Sequence, residues 1–154
     1  MKLLFWNINK KNNADLALAC MRENDVGIAA FAEYSGTEFS DELLKSSGYR
    51  PIGYGGCDKV KMYARESIEI LECFEQSRFT VLPMKIGEIY FVVAAAHLVD
   101  RRSSTDSEPR LIDIRAMMSV VHGYESKLAI KKTIIMGDMN ANPYDKELLH
   151  PNAF

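Results

Sequence analysis

The sequence has few cysteines, no long apolar run and no excess of charge of one sign. Its three cysteines, Cys20, Cys57 and Cys73, form neither a Cys-x-x-Cys motif nor a cluster with histidine. This argues against a zinc site and favours reduced thiols. No segment approaches the roughly 20 apolar residues that cross a bilayer, and the apolar start runs at once into Asn7 and Asn9, unlike a signal peptide. We therefore expect a cytoplasmic protein without a membrane span.

The charge balance excludes another class of protein. Nineteen basic against twenty-one acidic residues give a formal net charge of −2, so no global positive field holds nucleic acid. A polyanionic substrate would have to be held locally, by a metal ion or a few placed Arg and Lys. With 154 residues, 47% of them hydrophobic, the chain suits one domain and is too short for two. Repeats, linkers and low-complexity segments are absent from the sequence.

Apolar runs alternate with helical patterns, which predicts an α/β domain. Strands are predicted at residues 2–8, 26–33, 60–64 and 68–74, a hairpin at 80–84 and 88–97 around Lys85-Ile86-Gly87, and a last strand from Thr133. Helices are predicted at 14–23, with Asn12 or Asn13 as N-cap, at 38–46, and from a Ser107 cap to about Ala129. Residues 48–56 are expected to form a loop, and a short polar tail follows Pro143.

The most informative segment is the last predicted strand, TIIMGDMNANP, from Thr133 to Pro143. Its apolar run ends at Gly137, Asp138 and Asn140. Because Asp138 and Asn140 are two apart, an extended chain points both to one side and brings a carboxylate and an amide into one site. The alternative is an ordinary turn, since Gly, Asp, Asn and Pro are common turn residues.

Three other predicted strands also end in a polar residue, namely Asn7, Glu33 and His97. Together with Asp138 and Asn140 they suggest one shared site at the C-terminal ends of the strands. Each has a plainer interpretation. Asn7 is also explained as a strand-end cap, Glu33 as a turn residue, and a single histidine such as His97 is more often structural than catalytic.

Four segments in this order carry a family resemblance: FWNIN at 5–9, AE at 32–33, AHL at 96–98 and MGDMN at 136–140. They are similar to the motifs of the endonuclease/exonuclease/phosphatase superfamily, the fold of DNase I, abasic-site endonucleases and neutral sphingomyelinases. The resemblance implies a four-layer α/β sandwich, two packed mixed β-sheets with outer helices. It also implies divalent-metal-dependent hydrolysis of phosphodiesters, most often by a nuclease.

The resemblance further implies a role for each matched residue. Glu33, with Asn7, matches the site of a divalent cation, Mg²⁺ (or Mn²⁺), a hard ion that takes oxygen ligands and keeps several waters. Asp138 matches the acid that holds or helps deprotonate the attacking water. Asn140 matches the amide that positions the phosphate, and His97 a histidine that donates a hydrogen bond or proton to the phosphoryl group. Catalytic roles thus fall to His97, Asp138 and Asn140, and substrate binding to Asn7, Asn140 and His97.

The match breaks at the late Asp-His pair of the family, whose histidine is the general base. His122 and His150 do not stand in for it. The chain therefore resembles the N-terminal part of the domain, a single domain over residues 1–154 with its C-terminal strands missing. We expect unpaired strand edges that lead to self-association or bind a complementary C-terminal fragment. Loss of the base lowers the rate by about 10²–10⁴, so the chain alone is expected to be inactive or weak.

Other functions stay open from the sequence. A non-catalytic binding module of the same fold is one alternative, and a phosphomonoesterase or lipid phosphatase of the superfamily is another. The substrate, whether DNA, RNA, lipid or nucleotide, is not determined, because the predicted loops at 53–58 and 100–108 have little basic or aromatic content. Arg101, Arg102 and Arg110 either solvate a loop or contact a phosphate ester.

Overall fold

The computed structural model describes residues 1–11, 13–34, 39–100, 108–142 and 144–149. Within these ranges the chain forms nine strands and four helices. Their order is β1 (Lys2–Asn7), α1 (Ala14–Glu23), β2 (Val26–Ala32), α2 (Asp41–Ser46), β3 (Tyr49–Ile52), β4 (Val60–Arg65), β5 (Glu69–Ile70), β6 (Phe74–Gln76), β7 (Phe79–Ile86), β8 (Ile89–His97), α3 (Glu108–Leu128), β9 (Thr133–Asp138) and α4 (Lys146–Leu149).

The strands form two mixed sheets. The first sheet has the order β1-β2-β4-β3, and the second has the order β5-β7-β8-β9 with β6 also paired to β7. The pairs β1–β2 and β8–β9 are parallel, whereas the other pairs are antiparallel. Each parallel pair is joined through a helix, α1 in the first sheet and α3 in the second, as parallel connections require.

The core is divided into three layers of buried side chains. In β2, Ile28 and Ala30 point into the layer between the two sheets, while Ala29 and Phe31 point outward toward α1 and α2. A third cluster, which includes Ile114, lies between α3 and the second sheet. All seven residues of β2 are buried, which explains why its sequence is apolar throughout rather than alternating. The predicted four-layer α/β sandwich, with helices outside two packed sheets, is confirmed.

One loop prediction and one strand prediction are wrong. The predicted loop at 48–56 contains β3, because Tyr49 is buried and its hydroxyl lies 2.9 Å from the Met21 carbonyl oxygen and 2.8 Å from that of Val26. The strand predicted at 68–74 is instead two short strands, β5 and β6, which pair separately with β7. Both errors arise from tertiary contacts that local sequence does not encode.

The helix predictions differ from the structure mainly at the helix ends. The second helix starts at Asp41 instead of residue 38, because the Ser40 side chain accepts a hydrogen bond from the Leu43 N–H at 3.2 Å. Asn13 stands at the N-cap of α1, but its side chain makes no capping bond. Asn12, Ser107 and Pro143 lie outside the described residues. The short helix α4 was not predicted.

Two structural findings concern the cysteines and the helices. None of the three cysteines forms a disulfide. In the described part of the chain no helix is long and apolar enough to cross a membrane.

Candidate active site

The topology brings the predicted site residues to one end of the sandwich. β1 ends at Asn7, whose register partner in β2 is Ala32, and Glu33 follows directly. β8 ends at His97, whose register partner is Asp138 at the end of β9. Since the strands of each pair are parallel, their carboxyl ends lie together, and the two packed sheets place these four side chains opposite one another.

The four side chains are in direct contact across the two sheets. Asn7 Nδ2 donates to Glu33 Oε1 at 3.3 Å and to Asp138 Oδ2 at 3.1 Å. His97 Nε2 lies 3.6 Å from the same Glu33 oxygen. One amide group therefore links the two carboxylates, and the histidine lies beside one of them.

Asn140 joins this cluster through a turn. Its backbone N–H donates to Asp138 Oδ1 at 3.1 Å, and its Nδ2 donates to the Leu98 carbonyl oxygen at 2.8 Å. Asn140 has a φ of 48°, so the chain turns after Asp138. The reasoning that an extended chain carries Asp138 and Asn140 to one side is wrong, because a side-chain-to-backbone turn brings the two residues together.

Asn7 presents its nitrogen to the carboxylates. Its Oδ1 accepts the N–H of Asn9 at 2.9 Å, which fixes the orientation of the amide. In this arrangement Asn7 acts as a donor that aligns Glu33 and Asp138. Its predicted role as a metal ligand stays a prediction.

Left-handed backbone conformations cluster at this end of the sheets. Of the six non-glycine residues with positive φ in the described ranges, four lie here: Asn9 (52°), Lys10 (57°), Glu33 (49°) and Asn140 (48°). Such conformations are uncommon and cost free energy, and they tend to occur at functional sites. The Lys10 N–H donates to the Glu33 carbonyl oxygen at 2.9 Å, so the loop after β1 holds the end of β2 in place.

His97 is held by its backbone, and one of its ring nitrogens is buried. Its N–H donates to the Arg78 carbonyl oxygen at 2.9 Å, and its side chain is 12% exposed. The Nδ1 atom is buried without a hydrogen-bond partner among the described residues. A buried polar atom left unpaired costs about 1–3 kcal/mol, so this nitrogen is expected to bond an ordered water rather than a ligand in the cleft.

A cleft of about 450 Å³ opens at this cluster and is lined by Glu33, His97 and Asn140. Three cationic side chains, Lys10, Lys59 and Arg78, also line it. Lys59 lies 3.0 Å from Asp58, and the hydrogen bond from Lys59 lowers the pKa of Asp58. The cleft therefore offers three cations to a polyanionic substrate, although three carboxylates, those of Glu33, Asp58 and Asp100, also line it.

Sequence reasoning missed Arg78, and the hairpin register was the signal that could have found it. β7 is antiparallel to β8 with Phe79 opposite Ala96, so the residue before β7 must lie beside His97. The Arg78 Nε is 3.8 Å from an Asp113 carboxylate oxygen on α3. Burial raises the pKa of Asp113, and the nearby Arg78 charge partly opposes this.

Of the other predicted basic residues, Arg110 is described and does not line this cleft. Arg110 is 3% exposed and lies within α3, so neither interpretation of it, loop solvation or phosphate contact, is correct. Arg101 and Arg102 lie outside the described residues. His122 is exposed on α3 beside a separate surface pocket, and His150 also lies outside the described residues. In the described ranges, His97 is the one histidine of the cleft.

The donor atoms present suit a hard divalent cation better than zinc. No group of three or more His, Cys, Asp or Glu in the described part of the chain could hold a metal ion, which excludes a closed zinc site there. Mg²⁺ keeps several waters and needs only one or two carboxylates plus substrate phosphate. Glu33 and Asp138, linked through Asn7, supply that number of carboxylates.

No model of a known protein family matches the sequence, and neither does any curated protein. Solved structures do match. The human Nocturnin catalytic domain with bound sulfate matches at a TM-score of 0.69 and 16% identity, over 90% of this chain and 60% of that chain. A β-hairpin deletion mutant of Staphylococcus aureus beta toxin matches at 0.67 and 17%, over 96% and 70%. Truncated Caenorhabditis elegans TDP2 matches at 0.65 and 15%, over 94% and 63%.

These matches cover nearly all of this chain but only part of the other structures. The chain spans 60% of the Nocturnin chain and 63% of the truncated TDP2 chain. At such low identity the likeness concerns the fold alone. The chain therefore has a DNase I-like fold.

Proposed function

We propose that this chain carries the metal and phosphate contacts of a divalent-metal-dependent phosphodiester hydrolase, most closely a nuclease. The observation that carries the proposal is the Asn7 amide that bonds both Glu33 and Asp138, beside His97 at a cleft lined by both basic and acidic side chains. Two similar structures support the ligand class. Nocturnin was determined with a sulfate anion, and D. rerio TDP2 in complex with a single-strand DNA product.

Glu33 is the proposed principal ligand of Mg²⁺ or Mn²⁺, with Asp138 and Asn7 next to it. The bound ion would supply positive charge to the phosphoryl oxygens. Because both Asp138 oxygens accept hydrogen bonds, from Asn7 and from the Asn140 N–H, the carboxylate has a fixed orientation. It is placed to accept a hydrogen bond from the attacking water.

His97 and Asn140 are the proposed phosphate-binding residues. The His97 side chain lines the cleft beside Glu33, so its ring is placed to contact a phosphoryl oxygen. The Asn140 amide is anchored to the Leu98 carbonyl oxygen, which limits its movement. Arg78 and Lys59 would add charge-assisted hydrogen bonds to the phosphate ester.

We further propose that the chain alone is a weak catalyst. A second histidine to act as general base is not found in the cleft among the described residues, and its loss costs about 10²–10⁴ in rate. A complementary segment, or a second copy of the chain, would have to supply the base.

The first test measures metal binding. Mn²⁺ binding, followed by electron paramagnetic resonance, is expected to weaken at least about tenfold in Glu33→Gln, since removing even an outer-shell partner has that effect. The matched control is Glu88→Gln, because Glu88 is 95% exposed in the turn between β7 and β8, at the opposite end of the sheet. Equal Mn²⁺ affinity in wild type and Glu33→Gln would overturn the metal assignment.

The second test measures Mg²⁺-dependent hydrolysis of plasmid DNA and of bis(p-nitrophenyl) phosphate, with Asp138→Ala as control. Weak turnover that disappears in Asp138→Ala is the expected result. Strong turnover by the wild-type chain would show that it needs no further base. Turnover retained by Asp138→Ala would refute the role of Asp138. Mn²⁺ binding without any turnover would favour a non-catalytic binding module.

A further inference from the structure

Two tyrosines are unusually exposed at the end of the sandwich that carries the site. In the described part of the chain, Tyr54 (93%) and Tyr144 (86%) are the most exposed of the large hydrophobic residues. Tyr54 lies in the loop from β3 to β4, and β4 starts at Val60, the register partner of Ala32. Its loop therefore leaves the first sheet beside Glu33. Tyr144 lies four residues after Asn140, where the chain leaves the second sheet.

The backbone of Tyr54 is held by Glu75. One oxygen of this carboxylate, Oε2, accepts the N–H of Tyr54 at 2.7 Å and the N–H of Gly56 at 2.9 Å. Glu75 belongs to β6, so it ties a loop of the first sheet to the second sheet. Gly53 has a φ of 98°, and a Cβ there would lie 2.0 Å from Glu75 Oε1. The loop is thus built for this contact, while the Tyr54 ring stays in solvent.

The backbone around Tyr144 is held in a similar way. The Asn142 N–H donates to Asp145 Oδ2 at 2.7 Å, and the Asp145 N–H donates back to the Asn142 carbonyl oxygen at 2.9 Å. This closed turn leads into α4. It fixes the position from which the Tyr144 ring projects.

The Tyr54 and Tyr144 rings are exposed on loops whose backbones are fixed by hydrogen bonds, one loop from each sheet. Both loops lie at the end of the sandwich that carries the cleft with Lys59 and Arg78. This arrangement suits single-stranded nucleic acid. Single exposed hydrophobic residues are common and need no explanation. Aromatic rings with a positioned backbone, however, offer a stacking surface at low entropic cost. Aromatic rings combined with a cationic groove are the usual way to bind single-stranded nucleic acid, because every base has a π-face. Lys59 and Arg78 provide the cations here, each of them in an ion pair, with Asp58 and Asp113 respectively.

We propose that Tyr54 and Tyr144 stack on unpaired bases on the two sides of the phosphate held in the cleft. The substrate class is then single-stranded nucleic acid. This inference rests on the proposed function for the position of the phosphate. A membrane surface fits less well, since the direct sequence neighbours of the two tyrosines are Gly53, Gly55, Pro143 and Asp145 rather than large apolar residues, and burying the Asp145 carboxylate in lipid is costly.

The test is fluorescence anisotropy with a short labelled DNA single strand that has phosphorothioate linkages. Tyr54→Ala and Tyr144→Ala are each expected to weaken binding about 5- to 100-fold, whereas Tyr54→Phe and Tyr144→Phe retain it. Tyr90→Ala is the matched control, because Tyr90 lies near the start of β8, at the far end, over Lys85. The duplex of the same sequence is expected to be insensitive to both alanine substitutions.

Several results would overturn the inference. The first is that the wild-type chain does not bind the DNA single strand, and the second is that the alanine variants bind it as tightly as wild type. The third is that the alanine variants lose affinity only for phosphatidylcholine–sphingomyelin vesicles, which would assign the rings to a membrane surface. The assay needs no turnover, so it is separate from the test of the proposed function. Mn²⁺ affinity is expected to be unchanged in the tyrosine variants. Unchanged Mn²⁺ affinity in Glu33→Gln would refute the proposed function. The proposal that Tyr54 and Tyr144 stack on bases would still be tested by the anisotropy measurement.

Discussion

The two lateral sides of the sandwich end in different kinds of edge strand. On one side β3 has four residues and contains Pro51, and β5 has only two residues. Short strands and proline are devices that prevent edge-to-edge pairing. On the other side β1 and β9 have six residues each, are apolar and contain no proline. Ile134 in β9 is 41% exposed. The first side is protected against further pairing, and the second side is not.

This difference matters for the site because both kinds of strand contribute to it. Two site residues belong to central strands, since Glu33 directly follows β2 and His97 ends β8. The other two belong to edge strands, since Asn7 ends β1 and Asp138 ends β9. The Asn7–Asp138 hydrogen bond therefore joins two open edges. We propose that further strands, from a complementary segment or a second copy, pair with β1 and β9 and fix this half of the site.

The largest effect expected from this comparison is on the free energy of unfolding when either of two phenylalanines on neighbouring strands is replaced by alanine. Phe31 in β2 is fully buried against Phe39 and Tyr63, so Phe31→Ala should lower the free energy of unfolding by about 3–5 kcal/mol. Phe5 in β1 is only half-buried, and Phe5→Ala should cost about 1–2 kcal/mol, in proportion to its smaller burial. Urea unfolding at low protein concentration measures both.

Protein concentration makes this comparison sharper. If a second copy covers β1, the cost of Phe5→Ala should rise with protein concentration while that of Phe31→Ala stays constant. Equal costs for the two substitutions at the lowest concentration would contradict the idea that β1 is an open edge.

A smaller effect is expected at the contact between a central strand and an edge strand. A Cβ at Gly137 in β9 would lie 2.2 Å from the Ala96 carbonyl oxygen of β8. Gly137→Ala should therefore destabilise by about 1–3 kcal/mol. The control is Gly123→Ala in α3, where no atom lies within 4 Å of the added Cβ, and alanine should stabilise the helix by about 0.5–1 kcal/mol. A neutral Gly137→Ala would mean that β9 moves away from β8 at little cost.

Much of the fold was predictable because its central strands are covered on both faces. β2 and β8 are continuous apolar runs. The helix α1 directly precedes β2 and the helix α3 follows β8, and the apolar residues of both helices recur at helical spacing. β3 was missed because Gly, Pro and Tyr in its sequence favour a loop, and the burial of Tyr49 depends on α1. Local sequence does not carry such a contact.

The site was predictable to the same extent and for a related reason. Polar residues at the carboxyl ends of parallel strands had to meet, so Asn7, Glu33, His97 and Asp138 could be found from the chain alone. Arg78 and Lys59 could not be found in this way, since both lie outside the apolar strand cores and only the pairing of whole strands brings them to the cleft. Likewise, the turn at Asn140 depends on a hydrogen bond to the Asp138 side chain.

The smallest expected effect is on the pH dependence of stability, at Asp113 in α3, away from the open edge strands β1 and β9. Burial raises the pKa of Asp113, whose side chain is 16% exposed. An acid with a raised folded-state pKa contributes stability below its unfolded pKa of about 3.9 and loses it as the pH rises through the folded pKa. Asp113→Asn should therefore raise the free energy of unfolding slightly at pH 7 and change it little near pH 3.

Asp58 provides the opposite sign, because the hydrogen bond from Lys59 lowers its pKa. Its ionised form contributes stability above the unfolded pKa, and that contribution is lost as the pH falls through the folded pKa. Asp58→Asn should thus cause a slight loss of stability at pH 7, where Asp113→Asn causes a gain. Urea unfolding of both variants across this pH range tests the pair, and a shift of the same sign in both would refute the assigned causes. Since neither residue lies on β1 or β9, both effects should be independent of protein concentration, unlike that of Phe5→Ala.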